Sequence, residues 1–146
     1  ISAAHAGTFF YNVRANETLW DEQSLAMFGL SGRGRIILPG TWESILHPDD
    51  LERALTQVTD SLSGTTTLFN HTYRILLPNN QVRWIEGTGF IIRDQHNRPL
   101  EITGFHFDIT KQVEYEETLK ASMNQLKVHK TLLIRSWTSM ISLVML

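Results

Sequence analysis

Residues 67–110 read TLFNHTYRILLPNNQVRWIEGTGFIIRDQHNRPLEITGFHFDIT, and the fold turns on how this stretch alternates. Over residues 67–77, Phe69, His71, Tyr73 and Ile75 fall on one face and Asn70, Thr72 and Arg74 on the other, the period of a half-buried strand. Pro78-Asn79-Asn80-Gln81 reads as a turn, because asparagine tolerates positive φ. Residues 82–93 return as a second strand, 94–99 form another turn-rich connection, and 100–109 make a third strand. Short turns between three strands predict an antiparallel meander. In the second strand, alternation sets Trp84, Glu86 and Phe90 against Arg83 and Ile85. A bulge at Gly87 or Gly89 would exchange the two faces.

Upstream, residues 7–14 are aromatic and β-branched and predict a strand, followed by a shorter one at Leu19-Trp20. Asp21 is placed as a helix N-cap, Leu25, Met27 and Phe28 give that helix an apolar side, and Gly29 is suited to end it in the left-handed conformation. Residues 31–40 carry three glycines and a proline. They predict a loop, and their order matches no phosphate-binding glycine motif. Thr41 is expected to cap a single turn carrying Trp42, Ile45 and Leu46. The sequence His47-Pro48-Asp49-Asp50 predicts the start of a longer helix, with Pro48 at its first position and both acids on the positive end of the helix dipole. Leu51, Ala54, Leu55, Val58 and Leu62 follow at helical spacing, and Gly64 ends the run.

Downstream, residues 111–130 hold Glu, Lys, Gln and Leu without Gly or Pro and predict a helix. Leu119, Met123, Leu126, Lys130, Leu133, Trp137, Met140 and Val144 step alternately by four and three, a heptad seam with Lys130 its one polar break. Residues 132–146 are mostly apolar but too short for a membrane span on their own. They read as coiled coil, as the start of such a span, or as a tail packed on another molecule's sheet. A tail foreign to the natural protein is a further reading.

The 146 residues suffice for one core, and thirteen Lys and Arg against fifteen Asp and Glu give a net charge of −2. That balance argues against nucleic acid as a partner, and the absence of cysteine excludes disulfides, thiolate metal sites and a cysteine nucleophile. The chain opens without Met and without a secretory pattern, so a cytoplasmic piece of a longer protein is expected.

This order of elements resembles a PAS domain with a PAC-type C-terminal half, over residues 7 to about 119. The residues that carry the resemblance are Leu19-Trp20-Asp21-Glu22, Met27-Phe28-Gly29, residues 42–50, Tyr73-Arg74-Ile75, residues 82–86, Gly104 and Asp108-Ile109-Thr110. The family's usual Asp-Gly turn is replaced by Asn79-Asn80. The resemblance implies an α+β fold: a five-stranded antiparallel sheet with helices on one face, often around a small cavity, followed by a long signalling helix. It implies a sensor domain over residues 1–110, a coiled-coil helix over 111–146, and a linked effector such as a histidine kinase, diguanylate cyclase, phosphodiesterase or chemoreceptor. Asp108, Ile109 and Thr110 take the signal-transmission position; physically they form a helix cap, which is also a hinge.

For the cavity, the candidates are His71, Tyr73, Phe69, Leu55, Val58, Trp84, Phe90 and Phe105, apolar surfaces around one inward histidine. For the dimer seam they are Leu119, Met123, Leu126, Leu133, Trp137 and Met140. The His47–Asp50 cluster is read as a helix start rather than an acid–base or metal site. His5, His96, His106 and His129 have no metal-ligand spacing, and no catalytic motif is present. Residues 48–62, where haem PAS domains that invite comparison ligate iron, contain no histidine; the cysteinyl-flavin mechanism requires a cysteine. Haem and flavin are therefore the less favoured cofactors, and none is expected. Three functions stay open: a non-catalytic homodimeric sensor of a small ligand, a structural dimerisation module with a filled core, and a haem- or flavin-bearing sensor.

Overall fold

A computed structural model describes residues 6–146. The elements are β1 (Ala6–Asn12), β2 (Glu17–Trp20), α1 (Glu22–Met27), β3 (Ile36–Ile37), α2 (Thr41–Ile45), α3 (Leu51–Ser63), β4 (Leu68–Leu76), β5 (Val82–Arg93), β6 (Pro99–Asp108) and α4 (Thr110–Met145). Six strands form one antiparallel sheet in the order β3-β2-β1-β6-β5-β4. The expected five-stranded sheet is thus one strand short of the observed one. The added strand is only Ile36–Ile37, paired to Leu19 and Thr18. Two residues inside a glycine-rich loop are too few to produce a period. Asn16, Asn80 and Asn97 hold positive φ in the hairpin turns, the conformation for which a short polar side chain is suited.

The meander forms with its predicted alternation. Phe69, His71, Tyr73 and Ile75 are buried on β4, and the register pairs them with Gly89, Gly87, Ile85 and Arg83 of β5. No bulge interrupts that pairing; the β5–β6 register shifts only between Ile92 and Arg93. The inward set of β5 is therefore Ile85, Gly87, Gly89 and Ile91. Trp84 and Phe90 point to the other face, and on β6 Phe105 does too: Phe90 is 55% and Phe105 48% exposed. This corrects the placement of Trp84, Phe90 and Phe105 among cavity residues.

Two helix starts also differ from expectation. Gly40, not Thr41, is the N-cap of α2, at φ 87°. α3 begins at Leu51, so Pro48 lies in the turn before the helix rather than at its first position. Asp50 occupies the cap position, but its carboxylate accepts instead from Arg74: the backbone N–H at 2.8 Å, Nε at 3.0 Å and Nη2 at 2.7 Å. The paired Arg74 side-chain bonds and the backbone N–H hold the Asp50 carboxyl down to about 2. The first turn of α3 is in this way tied to β4, with the His47 N–H bonded to the Arg74 carbonyl at 2.9 Å.

Asp21 caps α1 as expected, accepting from the Ser24 N–H at 2.9 Å, and Gly29 follows at φ 73°. Leu25, Met27 and Phe28 pack with Trp20, Leu46, Ala54, Tyr73, Ile75 and Ile85 into the main core. Phe69, Ile91 and Ile102 form a smaller cluster backed by Val58 and Leu62 of α3, and Phe9 touches both clusters. After Thr110 the chain divides, and residues 111–146 form a separate unit. α4 runs 36 residues without a break, because nothing in its sequence interrupts a helix. It buries none of its residues. No helix of the described residues is long and apolar enough to cross a membrane.

Candidate functional site

The site is built on two adjacent rungs of the sheet. In the first, Gly7, His106, Gly87 and His71 lie side by side across β1, β6, β5 and β4. The glycines are there for room. A Cβ on Gly87 would stand 2.9 Å from His71 Nε2, and one on Gly7 would stand 2.6 Å from the Ser24 nitrogen of α1. In the second rung, Phe9 and Phe69 flank Gly104 and Gly89. A Cβ on either of these would lie within 2.8 Å of the neighbouring backbone, so only glycine lets the strands approach this closely.

Above this glycine-rich floor lies a cavity of about 350 Å³, within the range of small-molecule sites. Phe9, Trp20, Phe69, His71, Tyr73 and His106 line it from the sheet, Leu55, Val58, Thr59 and Leu62 from α3, and Trp42 and Glu43 from α2. Among the sequence candidates, His71, Tyr73, Phe69, Leu55 and Val58 come together here, with Leu55 toward the edge at 37% exposed.

His71 is buried among the rings of Phe69 (centroids 4.4 Å apart), Tyr73 (4.8 Å) and Trp42 (5.9 Å). Its Nδ1 has no hydrogen-bond partner among the described residues, and neither does the Tyr73 hydroxyl. Burial first, and then the nearby Arg53 charge, bring the His71 imidazole down to about 4, so it is neutral near pH 7. Burial pushes the Tyr73 phenol above its ordinary range. The Trp42 indole offsets part of that rise, although the hydroxyl makes no bond to it of ordinary geometry. A buried polar atom left without a partner is costly, and both of these lie beneath the cavity wall with almost no surface of their own.

Sequence reasoning passed over His106, Trp42 and Phe9. His106 is 4% exposed, stacked on Phe9 with centroids 4.6 Å apart and edge-on to Trp20 at 5.4 Å. Its Nδ1 lies 3.0 Å from Ser24 Oγ. Burial, reinforced by the field of His71, lowers it to about 3. The signal was available in β6: His106 alternates with Phe105 and Phe107, so exactly one of the two sets faces inward, and the bulkier set drew the inference. Among the described residues no group of three or more His, Cys, Asp or Glu side chains is placed to hold a metal; His5 lies outside them.

Asp108, Ile109 and Thr110 stand at the exit of the sheet. The Thr110 N–H and hydroxyl both donate to Asp108 Oδ1, at 3.0 and 2.5 Å. Thr110 Oγ1 also accepts from the Trp84 N–H at 2.9 Å, and the Ile109 N–H donates to the Trp84 carbonyl at 2.9 Å. Considered alone, α4 carries Leu119, Met123, Leu126, Leu133, Trp137 and Met140 on its surface, each between 48% and 69% exposed.

Comparison with known proteins agrees with the architecture. A family model described as the PAS fold matches residues 17–106. The chain is 29% identical over 86 residues, 59% of its length, to a methyl sulfide methyltransferase-associated sensor of Methanosarcina acetivorans, and covers 8% of that protein. A sensory box histidine kinase/response regulator from Burkholderia thailandensis superposes with a TM-score of 0.71 at 22% identity, over 85% of this chain and 92% of that one. The N-terminal domain of a diguanylate cyclase with PAS/PAC sensor from Marinobacter aquaeolei gives 0.64 at 20% identity, over 73% and 97%. At these identities the solved structures speak to the fold.

Proposed function

This chain belongs to the PAS-fold family, and from that premise we propose that it is a non-catalytic sensor domain of a cytoplasmic signalling protein. The observation that carries the reading is the aromatic cavity between the sheet and α2 and α3, with the buried imidazoles of His71 and His106 in its lining. A small molecule filling that space binds one sheet geometry better than another, and that difference in affinity is all that can drive a switch. The Asp108–Thr110 cap is the output, since it joins β6, the start of β5 and the first residue of α4. The effector is of the histidine kinase or cyclic-dinucleotide class named for the similar folds, and the chain acts as a homodimer. Native mass spectrometry and an absorption spectrum on one purified sample test this. A bound mass released on denaturation is the expected result. Protein that carries no added mass and whose stability answers to no small molecule would remove the ligand.

A second reading, a homodimerisation module without ligand, is favoured by α4 alone. Its heptad seam of exposed apolar residues has the pattern of a two-stranded coiled coil, with Lys130 as the polar position that sets register. In that reading ligand binding is absent and dimer geometry carries the signal.

A further inference from the structure

The polar groups at the cavity can be assigned as donors or acceptors, and the assignment narrows what enters. Ser24 Oγ donates to the Thr8 carbonyl at 3.0 Å, which uses the hydroxyl's one proton. Its 3.0 Å contact with His106 Nδ1 then requires the ring to be the donor. The proton of His106 is therefore on Nδ1, and Nε2 keeps a lone pair and only accepts. The Tyr73 hydroxyl and His71 Nδ1 lie beneath the wall with almost no surface of their own and stay out of a ligand's reach. Around them stand the flat faces of Phe9, Trp20, Trp42 and Phe69.

Charge is poorly served in the same space. Among the described residues no Lys or Arg lines the cavity, and its one acidic lining side chain is Glu43, half-buried on α2. A carboxylate or phosphate would meet no counter-charge there. A cation would be desolvated beside the Arg53 field that already acts on His71. The guanidinium of Arg53 is itself engaged, donating to the Thr72 carbonyl at 3.0 Å and to Gln57 at 3.2 Å. Both imidazoles are held neutral by their burial, which fits a space built for uncharged molecules.

We infer that the cavity binds an uncharged planar ring compound that carries an N–H or O–H donor, received by His106 Nε2. The inference rests on the sensor reading above and gives that sensor's ligand a chemical class.

Four probes of nearly one shape test it: benzamide, benzoate, benzylammonium and ethylbenzene, titrated into the full chain while the imidazole nitrogen resonances of His71 and His106 are followed. Benzamide is expected to bind about tenfold or more tighter than the other three, because it alone is both neutral and a hydrogen-bond donor. His106 is expected to show the Nδ1-protonated tautomer in the unliganded chain. Tighter binding of benzoate or benzylammonium overturns the inference and leaves the sensor reading standing. Equal binding of ethylbenzene overturns the polar assignment, as does an Nε2-protonated His106. If none of the four moves either histidine at millimolar concentration, the inference fails, and the mass and absorption measurements above decide the sensor reading separately.

Discussion

The Trp84 backbone N–H donates to Thr110 Oγ1 at 2.9 Å while the same hydroxyl donates to Asp108, so one side chain ties the start of β5 to the end of β6. Thr110→Val keeps the shape and removes both bonds. We expect it to lower the unfolding free energy by about 1–2 kcal/mol in urea titration, since a part-buried N–H loses its acceptor. If the chain is the proposed sensor, the same variant is expected to weaken the response of a linked effector to ligand without weakening ligand binding. A response left unchanged would separate this cap from signalling.

Asp50 predicts an acid-sensitive tether. Its folded value of about 2 lies below the ordinary 3.8, so its contribution is fully present above about pH 4 and is lost as pH falls toward 2. Asp50→Asn breaks the paired bonds to Arg74 and is expected to cost about 2 kcal/mol at pH 7. Its stability should also fall less steeply than the parent's over that acid window. Denaturant melts at a series of pH values measure both.

His71 acts in a higher window with the same sense. Its folded value of about 4 lies below the ordinary 6.5, so the unfolded chain takes the proton first and stability falls as pH drops from 6.5 to 4. His106 extends the loss toward pH 3. His71→Leu is expected to flatten the stability profile by about one proton between pH 6.5 and 4. An unchanged slope would mean that His71 does not titrate in that range.

The glycines of the second rung permit a steric test. A Cβ on Gly104 would lie 2.6 Å from the Gly89 Cα and 2.8 Å from the Thr88 carbonyl carbon. Gly104→Ala is expected to destabilise by about 3 kcal/mol or to prevent folding, because backbone rather than a movable side chain must yield. Near-parent stability in thermal unfolding would show that the two strands can separate at that point.

The coiled-coil proposal concerns α4 by itself. Leu126 is 69% exposed and stands at a seam position. Leu126→Glu places like charges opposite one another in a dimer and is expected to shift sedimentation to the monomer mass. A parent chain that already sediments as a monomer would remove the seam.

Local pattern carried much of this protein. The alternation of Phe69, His71, Tyr73 and Ile75, the asparagine turns, the Asp21 cap and the gap-free run of residues 111–145 each depend on neighbours a few positions away, and each is legible in order along the chain. Where the reading failed, the deciding contact came from a distant strand or helix. Trp84, Phe90 and Phe105 looked like core because they are large. Cross-strand register instead gives their inner counterparts to Gly87, Gly89 and Gly104, since imidazole rings and neighbouring backbone occupy that space. Asp50 looked like a first-turn acid on the helix dipole, until Arg74, twenty-four residues on, supplied a stronger partner. The donor state of His106 depends on Ser24 and Thr8, more than eighty positions earlier. A period records which face a side chain takes within its own element; it holds no record of which distant group will meet it there. The cavity and its two unpartnered polar atoms exist only once the strands and helices have packed together.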